Sequence, residues 1–149
     1  MDQMRADGFV GADTLTLEPI GADLLAMTGE LACLGGIVVR VEKYLEVLEG
    51  ENLDAYVCTW EYQYNAFVRG RNNILRYDNT HAYPGHGDAH HKHVYDWETG
   101  GQVPGSPAWV GKHGWPTLGE VLEELRTWYW TNREGLPDPD GYPALEQRG

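Results

Sequence analysis

Five of the chain's six histidines fall within the thirteen residues from His81 to His93. The stretch opens with Arg76-Tyr77-Asp78-Asn79-Thr80-His81, passes through Pro84-Gly85-His86-Gly87 and ends in His90-His91-Lys92-His93. Imidazole changes charge near neutral pH, which makes it the usual proton shuttle and the commonest metal ligand. Period-two alternation sorts these side chains. On a strand starting at His90, the residues His91, His93, Tyr95 and Trp97 share one face, and His90, Lys92, Val94 and Asp96 the other. On a strand at 74–79, Arg76 and Asp78 lie with Ile74, and Tyr77 and Asn79 with Leu75. Pairing of the two strands across the loop would gather a carboxylate, imidazoles and cations at one sheet edge.

Two chemistries fit that set. Metal-independent phosphodiester cleavage needs a base for the ribose 2′-hydroxyl, an acid for the leaving oxygen and cations for the charge on phosphorus. His91 and His93 are the first candidates for base and acid, with His81 and His90 as the alternative pair. Asp78 would orient an imidazole, and Tyr77 would stack on a base or donate a proton. Arg76, Lys92, Asn79 and His86 are the candidate substrate contacts. The second chemistry is a metal site, in which His91 and His93 are joined by Asp78 or His81. Such nitrogen and oxygen ligation suits zinc, nickel or ferrous iron. HxH spacing is common, however, and the cleavage reading needs no cofactor. A third reading is a noncatalytic interaction protein with a wide aromatic surface and a His-rich hairpin.

The flanking elements must position these residues. Residues 37–48 alternate, with Ile37, Val39, Val41, Leu45 and Val47 on one face and Lys43 as the exception, which predicts a half-buried strand. Residues 56–68 predict a second strand with Tyr56, Cys58, Trp60, Tyr62, Tyr64 and Val68 on one face. A turn at Gly70–Asn73 leads to a third strand, Ile74–Asn79, and the His-rich loop to a fourth, His90–Trp97. Short connections favour antiparallel neighbours. Thr117-Leu118-Gly119-Glu120 is a capping box. The helix it starts carries Leu118, Val121, Leu122, Leu125 and Tyr129 at helical spacing, widened by Trp128 and Trp130. The expected fold is α+β: an antiparallel meander of about four strands with a C-terminal helix on one face. Residues 1–30 read as a partly ordered lead-in with a helical turn near Ala22–Met27. Residues 31–134 read as one domain, and 135–149 as a Pro-rich tail.

The 149 residues suit one modest core. No apolar run approaches the roughly 18 residues of a membrane span, and the acidic start does not resemble a secretory signal. A cytoplasmic setting is expected. Cys33 and Cys58 read as buried, inert thiols. The net charge of −12 argues against nonspecific nucleic-acid binding. Even so, Arg69, Arg71, Arg76 and Lys92 make the centre locally basic. An exposed edge strand could pair two copies into a homo-oligomer.

The run LRYDN, then THAYPGHGDAHHKH, then WPTLGEVLEEL resembles the TumE-type toxins of toxin–antitoxin operons, over roughly residues 37–130. The resemblance implies a small α+β toxin acting on RNA, with a fold like that of RelE-type ribonucleases. It also implies a co-encoded antitoxin of helix-turn-helix or similar type. The family's motif falls on Tyr77, Asp78, Asn79, His90, His91 and His93, with Lys92 where the family often has Lys or Arg. The acidic charge departs from ribosome-dependent toxins, which are usually basic.

Overall fold

The computed structural model describes residues 7–49, 55–79, 90–110 and 115–145. His81 and His86 lie outside them. Eight strands form one antiparallel sheet: β1 (Val10–Asp13), β2 (Thr16–Gly21), β3 (Leu24–Cys33), β4 (Ile37–Glu49), β5 (Ala55–Val68), β6 (Asn73–Asp78), β7 (His91–Val94) and β8 (Ala108–Trp109). They run in the order β1-β3-β4-β5-β6-β7-β8, and β2 pairs with β3 along the edge that β1 also uses. A helix, α1 (Leu118–Asn132), follows and ends in a 3₁₀ turn.

The antiparallel sheet and the closing helix match the sequence expectation, but the sheet is larger than four strands. Of residues 1–30, expected to be a partly ordered lead-in with a helical turn near Ala22–Met27, those from Val10 onward form β1, β2 and most of β3. Asp23 takes the left-handed turn conformation (φ 61°) that folds β2 back on β3. The Gly, Asp and Thr that obscure the strand pattern here are the residues of such tight turns. The fourth expected strand is shorter than 90–97, because the chain turns away after Val94 and keeps only a bridge from Tyr95 to Gln102.

The core lies between the helix and one face of the sheet. Leu31, Ile37, Val39, Val41, Tyr64, Ala66, Val68 and Leu75 supply the sheet side, and Val121, Leu122, Leu125 and Tyr129 the helix side. Thr117 and Glu120 form both bonds of the capping box. Trp130 does not widen the buried face as expected; it is 65% exposed. A position one residue past Tyr129 turns some 100° around the helix, away from the sheet.

A second correction concerns the aromatic stripe of β5. Tyr44 pairs with Glu61 but Leu45 pairs with Thr59, so Trp60 is an extra residue in the ladder. A bulge of this kind reverses which side chains face the core. Tyr62 and Tyr64 stay buried, whereas Trp60 and Cys58 are exposed, against the expectation of two buried thiols.

After Gly135 the described residues, 136–145, are irregular but docked. Leu136 is buried, Tyr129 donates to the Pro139 carbonyl at 2.7 Å, and Gly35 N–H donates to the Gly141 carbonyl at 3.0 Å. Gly35 (φ 84°) is required there, because a Cβ would lie 2.8 Å from the Tyr129 ring.

Burial pushes the Cys33 thiol up to about 12, and the Tyr64 phenol also up to about 12. Both therefore stay protonated in the folded chain at pH values where the unfolded chain releases protons. The unfolded state then binds fewer protons, so stability falls as pH rises. It is full below the ordinary thiol value of 9.0 and is lost towards the folded values. The expected slope is about 1.4 kcal/mol per pH unit for each group engaged. Denaturant melts as a function of pH should show the decline starting near pH 9, and Cys33→Ala should delay it to about pH 10, where tyrosine takes over. An unchanged onset in Cys33→Ala would contradict this assignment.

Candidate functional site

β6 and β7 pair in the register Leu75↔Val94, Arg76↔His93, Tyr77↔Lys92 and Asp78↔His91. Partners across an antiparallel pair share a face. The sequence-predicted set is therefore divided. Arg76, Asp78, His91 and His93 lie on the face without the helix, whereas Tyr77 and Lys92 lie on the face that packs against α1.

On the helix-free face the side chains form a directed network. Arg76 Nε donates to Asp78 Oδ2 at 3.1 Å. Arg76 Nη2 is 3.1 Å from His93 Nε2. A guanidinium has only donors, so Nε2 must accept and the ring proton must sit on Nδ1. Nδ1 faces Gln102 Oε1 at 3.1 Å. Gln102 Oε1 also accepts from Ser106 Oγ at 2.8 Å, and Ser106 Oγ accepts from Val94 N–H at 2.8 Å. These directions are the ones a His93 ring carrying its proton on Nδ1 would make. Asp78 Oδ2 lies 3.6 Å from His93 Nε2.

The site is largely closed. Asp78 is 1% exposed, His91 2% and His93 5%, while the Arg76 side chain keeps 28%. The segment after Tyr95 folds back along β7: Val103 N–H donates to the Val94 carbonyl, and β8 pairs Trp109 with His91.

The helix-side residues are tied to α1. Tyr77 donates its hydroxyl proton to Glu124 Oε1 at 2.6 Å, and Lys92 Nζ donates to Glu124 Oε2 at 2.5 Å. The Lys92 ammonium sits 5.2 Å from the Tyr77 ring centre. Burial, then the Glu124 contact, pushes the Tyr77 phenol far above its ordinary range. Its proton is held on the helix side, away from the Asp78 network. His90 Nδ1 is 2.9 Å from the Tyr62 hydroxyl, and its ring stacks with Tyr62 and Trp115. Asn79 continues the ladder with its side chain, accepting from Tyr62 N–H at 2.9 Å and donating to the Trp60 carbonyl at 3.2 Å.

Sequence reasoning missed Gln102, Ser106 and Glu124. The first two sit in a Gly- and Pro-rich segment with no period to place them. Glu124 carried a weak signal as a carboxylate beside the apolar stripe of α1. The expected basic patch is mostly paired internally, with Arg69 on Glu30, Arg76 on Asp78 and Lys92 on Glu124. Among the described residues, no group of three or more His, Cys, Asp or Glu side chains is set to hold a metal ion.

The family model for Toxin TumE matches residues 20–128, from the end of β2 into the last turns of α1. This chain belongs to the TumE toxin family. The matched span contains the whole Arg76–Asp78–His93 network and its Gln102 and Ser106 supports. Comparisons with curated proteins and with solved structures found no match. Membership of a TumE toxin family implies a cognate antitoxin as partner. Among the described residues, no helix is long and apolar enough to cross a membrane.

The network fixes one observable. Nitrogen-15 correlation spectra of the imidazoles should show neutral His93 protonated at Nδ1 and bare at Nε2. Gln102→Leu, which removes the Nδ1 acceptor, should lower the share of that tautomer. A neutral His93 protonated at Nε2 would contradict the hydrogen-bond directions above.

Proposed function

We propose that this TumE-family toxin is a metal-independent endoribonuclease whose site is the Arg76–Asp78–His93 network with His91. The observation that carries the reading is the hydrogen-bonded Arg76–Asp78–His93 cluster on the face that α1 leaves free. His93 Nε2 holds an unprotonated lone pair, which is what a general base needs. In the resting state Arg76 donates to it. An RNA phosphate competes for the guanidinium, whose planar fork suits phosphate oxygens. Moving Arg76 onto the phosphate frees Nε2 and places a cation where charge develops.

His93 Nε2 then takes the proton of the ribose 2′-hydroxyl, whose oxygen attacks phosphorus. The bond from phosphorus to the 5′-oxygen breaks, and His91, protonated, gives that oxygen a proton. The products are a 2′,3′-cyclic phosphate and a 5′-hydroxyl, with one proton taken up and one released. Gln102 holds the His93 ring, and Asp78 holds Arg76 and stabilises the imidazolium as it forms. In this reading Tyr77, Lys92, His90 and Asn79 position the strands and the helix rather than touch RNA.

The deep burial of Asp78, His91 and His93 favours a second reading, a noncatalytic toxin in which the network is a structural node. Cleavage of a mixed RNA pool in excess EDTA separates the two. The parent should leave cyclic-phosphate ends. His93→Gln and Arg76→Gln should each lower the rate by about a hundredfold or more, the usual scale for an acid–base or charge-stabilising group. Circular dichroism of each variant should match the parent. Full activity in His93→Gln, or no cleavage by folded parent, would discard the proposal. Activity restored only by added metal would support the metal-site chemistry instead.

A further inference from the structure

The face that carries Arg76 and His93 continues across β5 onto β4. The pairings Arg40↔Asn65, Asn65↔Arg76 and Arg76↔His93 make one row, and Glu42↔Gln63, Gln63↔Asp78 and Asp78↔His91 make the next. Side chains in such rows share a face. Asn65 therefore stands one strand spacing, about 4.8 Å, from Arg76. Among the described residues, two buried side-chain atoms have no hydrogen-bond partner, Tyr64 Oη and Asn65 Oδ1. Tyr64 lies in the core under α1, and Asn65 on the opposite face. The guanidinium groups on either side of Asn65 are directed elsewhere: Arg40 donates to Glu30, and Arg76 to Asp78 and His93. Buried polar atoms are nearly always paired, and an exception beside a site points to a ligand that completes it.

The surroundings of Asn65 indicate the kind of ligand. A cavity of about 180 Å³ beside it is lined by Glu42, Tyr44, Glu61, Tyr62 and Gln63. Among the described residues, the Gln63 and Glu61 side chains make no hydrogen bond. Asn65 Oδ1, Gln63 Oε1 and two carboxylates thus form a patch of acceptors one row from Arg76. Single-stranded RNA is read on its base edges. Adenine, cytosine and guanine each present an exocyclic amino group with two hydrogens to such acceptors. Uracil offers one ring N–H between two carbonyls, which the carboxylates repel.

We infer that Asn65 and Gln63 determine specificity, reading the base beside the phosphate held at Arg76, and that this base carries an exocyclic amino group. Asn65 Oδ1 accepts one amino hydrogen, and Gln63 with the carboxylates of the cavity accepts the other. The amide nitrogens remain to donate to the acceptor next to the amino group on the same base edge. Uracil is the base that the patch rejects. The inference rests on the ribonuclease reading for the place of the phosphate, so base recognition is measured by binding and apart from cleavage.

The probes are fluorescein-labelled deoxyuridine octamers, either uniform or with one central adenine, cytosine or guanine, titrated by anisotropy against the full chain at low salt. At least one amino-base octamer should bind about tenfold tighter than the uniform one, the scale of a bidentate amide–base contact, and the tightest names the base. The same octamer with that amino group replaced by hydrogen should lose the gain. Asn65→Leu should lose it too and keep the parent's affinity for the uniform octamer, and Gln63→Leu should reduce it. If Asn65→Leu does not fold, Gln63→Leu and the deaminated octamer decide. Equal binding of all octamers, which an acceptor patch made for a basic protein side chain would give, would overturn the inference. So would a deaminated octamer that binds as tightly, or a gain kept in both leucine variants. Ribo-octamers of the same sequences read cleavage in parallel. A base gain without cleavage would strike the ribonuclease reading and support base recognition, whereas cleavage without a base gain would strike this inference alone.

Discussion

Four backbone pairings between β6 and β7 decide which side chains of the histidine-rich region can meet. Arg76 stands opposite His93 and Asp78 opposite His91, and Tyr77 stands opposite Lys92. Strand alternation does the rest. A slip of one residue would exchange the faces and place the Arg76 and Asp78 charges under α1. The register is held from both sides. Leu75 and Tyr77 must reach the core, and Glu124 binds Tyr77 and Lys92 together. The opposite face inherits its geometry from that packing, which gives a site built on strands its precision.

Charge on this molecule is arranged rather than merely abundant. Buried Glu30 accepts from Arg40 at 2.8 Å and from Arg69 at 2.9 Å, and both guanidinium groups lie over Phe67. Buried ion pairs cost desolvation and contribute more to geometry than to stability. Here they tie β3, β4 and the end of β5 together, and Arg69 also donates to the Ala144 carbonyl of the tail. Arg76 belongs to the same pattern through Asp78. Its difference is its second bond, to an imidazole lone pair, which a phosphate can replace without leaving the guanidinium unpaired.

Much of this was legible where local signals are strong. The capping box at Thr117 fixed the start of α1, and uninterrupted β-branched alternation marked β4. The face assignments of Arg76, Asp78, His91 and His93 followed from period two alone. The sequence carried no sign of the bulge at Trp60, because a bulge depends on the partner strand rather than on local propensity. Strands β1 to β3 were hidden because their turns contribute the same Gly, Asp and Thr that elsewhere signal loops. Gln102 reaches His93, and Ser106 reaches Gln102, through a tertiary fold-back, which no local period encodes. Tyr77 and Lys92 look like catalytic residues by type, and only the position of Glu124 reveals their tie to the helix.

The central claim is that RNA meets the sheet on the face opposite α1. The most direct measurement is chemical-shift mapping with a 2′-deoxy oligonucleotide, which cannot supply the attacking hydroxyl and so stays intact. The account predicts shifts at the Arg76 guanidinium, the His93 ring and Gln63 and Gln102 on the helix-free face. Perturbation confined to Tyr62, His90, Trp115 and Lys92, on the helix side, would contradict it.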